Sequence, residues 1–394
     1  MYITSPDKLK EFCESLESSD VLAVDTEFVR ERTYFHRIGL IQVAGKNSCA
    51  AIDPILLDDL TPLLEILKDP KKLKVFHAAR QDLEILVRLC GSVIPPVFDT
   101  QVAAALVGWG SQISFAKLIQ KAIGKHIHKS ETYTNWCRRP LSESQIKYAL
   151  DDVRYLMPAY EKLVQRLKQL KRTDWVAGEI KNWEDPATFA LPDPQTRYLK
   201  IKSLRSLKPR NLAVLRELAA WRENLAVSRN CLAKSIIRDE ALLEIARKMP
   251  KDVKELSGLR GFHHKEVGKS GAAIINAIKK GNEVPESELP KLPESDGHST
   301  TRGIEELLSA FVQIRSEELK IEPSVLADRK RIHFFATHFE KKLNMEDNFL
   351  LQGWRRECIG EPMLKLLNGE VGLKINPSGQ VALIPLEKTS DVGC

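Results

Sequence analysis

The run VLAVDTEFV, residues 21–29, sets Asp25 and Glu27 two positions apart inside an apolar, β-branched stretch. A strand alternates its side chains between faces, so residues i and i+2 point the same way. Both carboxylates therefore emerge side by side at the margin of a core. At about 4 Å and an effective dielectric of about 20, two such charges repel by roughly 4 kcal/mol. A chain can hold such a pair with a cation between them, with a proton on one of them, or at a strand end open to water. The last is the ordinary reading of an isolated Asp-x-Glu, so the choice depends on what else the chain brings.

Two further acidic positions follow. In KVFHAARQDLEIL, the apolar Val75-Phe76 pair leads through His77 into a helical pattern with Asp82 in its first turn. A negative charge suits the helix dipole there, so capping is the plain alternative to a ligand role. In KYALDDVRYL, Tyr148 and Asp152 are four apart on a long helix and share a face. Ile146, Leu150, Val153, Met157 and Tyr160 mark its expected buried stripe, with Asp152 near the edge. Asp151 is turned about 100° away. Ser142 with Gln145 fits a capping box at the helix start, and Leu141 with Ile146 a hydrophobic staple.

The 394 residues suffice for two or three domains, and 43% apolar with 29% charged residues is ordinary for a globular chain. No apolar run approaches 18 residues, and the start, MYITSPDKLKEFCES, lacks a secretory core, so no membrane association is expected. Seven cysteines lie singly, without a Cys-x-x-Cys pair, so neither a zinc site nor a disulfide framework is indicated; the expected setting is a reducing cytoplasm. The net charge of +7 is uneven. Residues 205–281 hold 17 Lys and Arg against 8 Asp and Glu, which suits a polyanion grip or simply a basic solvated surface.

Strands are expected at 21–28, 37–44, 48–53, 73–76 and near 97–100. Helices are expected at about 58–68, 80–90, 101–107, 114–122 and from 142 to about 170. This gives an α/β domain over 1–170, followed by a connecting segment over 171–207. A helical module follows at 208–283, then a Pro- and Ser-rich linker at 284–302 and a second helical module at 303–380, with an irregular or short-strand tail after 376. WRENLA at 221–226 and IRSEEL at 314–319 hint that the two modules repeat. The loop from Lys125 to Arg139 mixes cations with Tyr133 and Trp136, as a grip on a single-stranded end would; Trp136 fits a core position equally well.

The ordered set of Asp-x-Glu on a first strand, Asp at a helix start and Tyr-x-x-x-Asp on a late helix resembles the tyrosine subclass of DEDD 3′–5′ exonucleases. The flanking words VDTEFVRERTYF, GLIQVA, FHAARQDLEIL, FDTQVAAAL, HKSETYTNW and RRPLSESQIKYALDDVRYL are similar to bacterial ribonuclease D. That resemblance implies an RNase H-like α/β exonuclease domain followed by two all-α modules of the type shared with RecQ-type helicases (HRDC-like). It implies Asp25, Glu27, Asp82 and Asp152 as ligands of two divalent ions, Mg²⁺ or Mn²⁺, with Tyr148 as the fifth catalytic residue. It further implies 3′–5′ exoribonuclease action on RNA, with tRNA precursors carrying single-stranded 3′ trailers as the expected substrates. His77, Lys129, Tyr133, Trp136 and Arg138 are the expected substrate contacts, although a satisfied structural role suits His77 better. A DNA exonuclease of the same superfamily and a noncatalytic RNA-binding adaptor are the alternatives.

Overall fold

The structure, a computed structural model, describes residues 1–127, 134–259, 264–292, 301–377 and 381–386. The chain divides into two compact units. One comprises Met1–Glu27, Gly39–Phe189 and His298–Cys394; the other joins Phe28–Ile38 to Ala190–Gly297.

The first unit is built on a six-stranded mixed sheet in the order β1-β4-β3-β2-β5-β6. The strands are β1 (Tyr2–Ile3), β2 (Val21–Val29), β3 (Arg37–Ala44), β4 (Cys49–Ile52), β5 (Leu73–Phe76) and β6 (Val97–Asp99). β3 and β4 are antiparallel, whereas β5 runs parallel to both β2 and β6. Leu22, Ala23 and Val24 of β2 are fully buried, as the apolar run requires. β1 was not foreseen. Two residues carry no periodicity, and this strand exists only through its pairing with distant Ala51 and Ile52 of β4.

The helices α1 (Pro6–Leu16), α2 (Thr61–Lys68), α3 (Arg80–Cys90), α4 (Thr100–Leu106), α5 (Phe115–Ile123), α6 (Glu143–Gln169) and α7 (Thr173–Ile180) complete this part. α6 opens on the expected capping box: Ser142 Oγ accepts from the Gln145 amide, and the Gln145 side chain accepts from the Ser142 amide. Its deepest stripe is Ala149, Val153, Leu156, Ala159, Leu163 and Leu167, offset from the expected one. Small alanines let α6 lie close to its neighbours, while Ile146, Leu150, Met157 and Tyr160 are only half-buried and pack at the flanks.

The other unit contains α8 (Pro209–Ser228), α9 (Ala233–Ile236), α10 (Asp239–Lys248), α11 (Val253–Ser257) and α12 (His264–Glu283). Its core gathers Leu212, Leu215, Leu218, Leu242, Ile245, Ile274 and Ile278. Phe28–Ile38, which takes in the end of β2, the connection after it and the start of β3, is part of this unit. Tyr34 donates its hydroxyl to the buried Glu223 at 2.6 Å, Arg197 pairs with the same oxygen at 2.9 Å, and the Phe35 amide donates to Asn230.

The last helical stretch belongs to the first unit. α13 (Arg302–Leu319), α14 (Pro323–Leu326) and α15 (Arg329–Glu340) repeat the long, four-residue, medium succession of α8 to α10. Trp175 of α7 stacks on Trp354 with centroids 4.4 Å apart, and Arg355 pairs with Glu179. Arg172 donates to the carbonyls of Leu106 and Leu319 at 2.7 and 2.8 Å. Gly108 lies so close to the Lys320 carbonyl that an added Cβ would stand 2.2 Å from that oxygen. Near the end, β7 (Val371–Ile375) pairs antiparallel with β8 (Val381–Pro385); β8 is the short strand allowed for after 376, whereas β7 was not foreseen.

Candidate active site

Asp25 and Glu27 project from one face of β2, and α6 brings Asp152 to them. One carboxylate oxygen from each of the three lies within 4.8 Å of the others. Burial is the largest effect on all three, and neighbouring carboxylates add to it. Asp25 is pushed up to about 8, with Asp152 adding to burial, and Glu27 to about 10, with Asp25, Asp152 and Asp82 adding. Asp152 rises to about 7, with Asp151 contributing. No Lys, Arg or His stands among the groups that shift them. A half-buried, oxygen-only acidic cluster with no cationic side chain among the described groups that shift it has the donor set of a hard divalent ion.

Asp82 occupies the first turn of α3, as expected, and is held well above its usual range by burial and by Asp25. Its carboxylate is not among the three that converge within 4.8 Å; it accepts the Thr26 hydroxyl at 2.5 Å. Thr26 lies between the two β2 acids and faces the other way, a role the Asp-x-Glu spacing does not announce. The turn before α3 is braced by Asp99, which is buried. Asp99 accepts from the Ala79 amide at 2.7 Å and, as N-cap of α4, from the amides of Gln101 and Val102 at 2.6 and 3.0 Å. Its signal was present in FDTQVAAAL, where an Asp immediately precedes a helical run. Asp99→Ala should cost about 3 kcal/mol in urea unfolding, because it strands buried amides and removes a cap. A loss under about 0.5 kcal/mol would mean those bonds contribute nothing.

Tyr148 lies one turn before Asp152 and hydrogen-bonds its carboxyl. Burial first, then Asp152, Glu27 and Asp25, raise the phenol far above its ordinary value. It therefore stays protonated and cannot serve as a base at neutral pH.

The remaining expected contacts divide. Trp136 is a correction: it is 4% exposed and packs with Leu40, Ala51, Leu141 and Ala149, its ring 6.1 Å from that of Tyr148. It backs the tyrosine instead of offering a face for bases. Arg139 fixes it there by donating to the carbonyls of Trp136 and Gly39 while pairing with fully buried Asp53. Gly39, the first residue of GLIQVA, admits this approach, since a Cβ there would stand 2.5 Å from the Trp136 carbonyl oxygen. His77 has both ring nitrogens engaged, with Thr100 Oγ1 at 3.0 Å and the Ile113 carbonyl at 3.1 Å, and burial lowers its pKa. It joins β5 to α4 and the segment before α5, which leaves no ring nitrogen for a substrate. Arg138 is exposed beside Thr134, Asn135 and Ser142. Lys129 and Tyr133 fall outside the described residues.

With the acids and the tyrosine in place, the chain can be set against known proteins. Residues 1–168 match the 3′–5′ exonuclease domain family, and residues 211–278 match the HRDC domain. The chain is 38% identical to ribonuclease D of Granulibacter bethesdensis over 386 residues, covering 97% of this chain and 96% of that one. The chain belongs to the ribonuclease D family. Its enzyme class is accordingly that of a 3′–5′ exoribonuclease. Ribonuclease D of Bartonella henselae is 37% identical over 378 residues, covering 95% and 91% of the two chains. The crystal structure of Escherichia coli RNase D, described as an exoribonuclease involved in structured RNA processing, superposes with a TM-score of 0.82. Identity there is 32%, and 93% and 98% of the two chains are covered. Among the described residues of this ribonuclease D family member, no helix is long and apolar enough to cross a membrane.

Proposed function

We propose that this protein shortens RNA from its 3′ end by metal-assisted hydrolysis, releasing 5′-mononucleotides, and that tRNA precursors with single-stranded 3′ trailers are its substrates in the cytoplasm. The observation that carries the reading is the convergence of Asp25, Glu27 and Asp152 within 4.8 Å, with no cationic side chain among the described groups that shift them. Asp25, Glu27, Asp82 and Asp152 would hold two Mg²⁺ or Mn²⁺ ions. When bound, such ions acidify water and stabilise the charge that develops on the leaving oxygen of a phosphodiester.

The chain's own groups supply the rest. The Tyr148 hydroxyl, protonated and anchored against Asp152, aims the attacking water by hydrogen bonding. Trp136 behind it restricts the ring. Glu27, at the margin of the cluster, is suited to receive the terminal 3′-hydroxyl, which would confine attack to chain ends. We assign residues 1–170 to the exonuclease domain and 208–283 to an RNA-gripping HRDC-like module. The 171–207 segment and the 284–302 linker are connections, and 303–380 is a divergent second HRDC-like module. The naming of the relatives as ribonuclease D, and the description of the Escherichia coli protein, support RNA over DNA.

Incubation with a precursor tRNA and a DNA control of matched sequence tests the proposal. Mononucleotide release from the RNA, abolished by EDTA, is the expected result; binding without release would favour the adaptor. Tyr148→Phe should lower kcat by about 10²-fold, as for loss of one oriented hydrogen bond, with Mn²⁺ affinity unchanged within about threefold. Equal losses in both would remove the water-aiming role.

A further inference from the structure

A cavity of about 430 Å³ opens on the flank of α6 next to the acidic cluster, with Tyr148 in its wall. Its other lining includes Lys125, Lys147, Asp151, Arg154 and Tyr155. Cavities of this size accept a nucleotide. Lys147 is exposed and has no ion pair among the described residues. Arg154 is half exposed and, among the described residues, is offset by Asp151 at 2.9 Å. Lys125 lies 4.0 Å above the Tyr155 ring and donates to its hydroxyl. Three cations thus surround one carboxylate, and an aromatic ring lies beside them.

We infer that this cavity binds a nucleotide phosphate, held chiefly by Lys147 and Arg154. This rests on the exonuclease reading above. The phosphate has two possible sources: a phosphodiester of the RNA strand being shortened, or the 5′-mononucleotide just released. Tyr148 forms the shared wall, so whatever sits in the cavity abuts the residue that aims the water. A mobile cation on a long stem suits a phosphate that passes through, and paired guanidinium and ammonium groups suit its oxygens.

Lys147→Ala, Arg154→Ala and the double variant separate the two sources. The p-nitrophenyl ester of uridine 5′-monophosphate offers a cleavable phosphodiester with no upstream strand. If the cavity holds only an upstream phosphodiester of the strand, ester kcat and KM with Mn²⁺ stay within twofold of the unsubstituted protein, since the ester lacks that phosphate. If the cavity holds the strand, KM for a ten-nucleotide single-stranded RNA rises fivefold or more. If it holds the product, the inhibition constant of 5′-UMP against ester hydrolysis rises by the same factor. Either shift supports the inference. No shift in both overturns it, and so does a loss of ester turnover with neither constant shifted, which would move these residues into the reacting centre. An unsubstituted protein inert on RNA and ester alike would defeat the exonuclease reading instead. Calorimetric binding of 5′-UMP in EDTA would then still decide the cavity: weakening in the double variant upholds it, and equal binding overturns it.

Discussion

Asp25→Asn should reduce mononucleotide release about 10³-fold or more, a barrier increase of about 4 kcal/mol. Asp25 is the acid whose charge bears on both Glu27 and Asp82, and it shares the cluster with Asp152. An amide keeps its shape but removes one of the negative charges that attract a divalent ion. The same substitution should leave the metal-free fold intact or more stable, because it relieves crowding among buried carboxylates. That combination, activity lost and melting temperature held or raised, distinguishes a ligand from a structural acid. Asp151→Asn is the control. Asp151 is not one of the converging carboxylates; it pairs with Arg154 at 2.9 Å and adds to the rise of Asp152, so its loss should change turnover far less than that of Asp25, by under about tenfold. Comparable losses at both positions would refute the assignment of the cluster.

The metal-free protein should lose stability as pH rises, against the usual behaviour of carboxylates. Asp152, Asp25 and Glu27 sit at about 7, 8 and 10 in the folded chain, against ordinary values near 4. Folding therefore takes up protons, and their contribution is complete below about pH 4. It is lost as pH climbs through about 7 and then 8. In EDTA the melting temperature should fall by roughly 5–10 °C between pH 5.5 and pH 8.5. Mn²⁺ at a hundred times its dissociation constant would return about 2.7 kcal/mol, and more at the alkaline end, where it no longer competes with protons. Asp25→Asn should flatten the slope. A melting temperature independent of pH in EDTA, and unmoved by Mn²⁺, would mean that the three acids are solvated and noncooperative.

What could be read in advance followed from local pattern. Alternation put Asp25 and Glu27 on one face, and helical spacing put Tyr148 a turn from Asp152; both hold in the structure. The capping box fixed the start of α6 because Ser142 and Gln145 are three residues apart and satisfy each other's backbone. Features set by distant partners were not legible. Trp136 sits among cations in the sequence, and its burial depends on Arg139, Gly39 and Asp53, which arrive from other strands and loops. The Thr26–Asp82 bond spans 56 positions. Nothing in residues 303–370 signals that their helices join the nuclease body through Trp175, Glu179 and Arg172, since an amphipathic helix does not name its neighbour.

Tyr34 and Phe35 change how an excision experiment would have to be interpreted. Cutting out residues 190–297 would do more than take away a basic surface. The peptide leaving Glu27 would lose the Glu223 carboxylate that accepts from the Tyr34 hydroxyl and the Asn230 side chain that accepts from the Phe35 amide, seven and eight residues beyond a proposed ligand. A shortened protein that failed to turn over would be ambiguous between a missing hand and a slackened wrist. A version carrying a tight glycine-rich bridge in place of Arg30–His36, between β2 and β3, would tell the two apart.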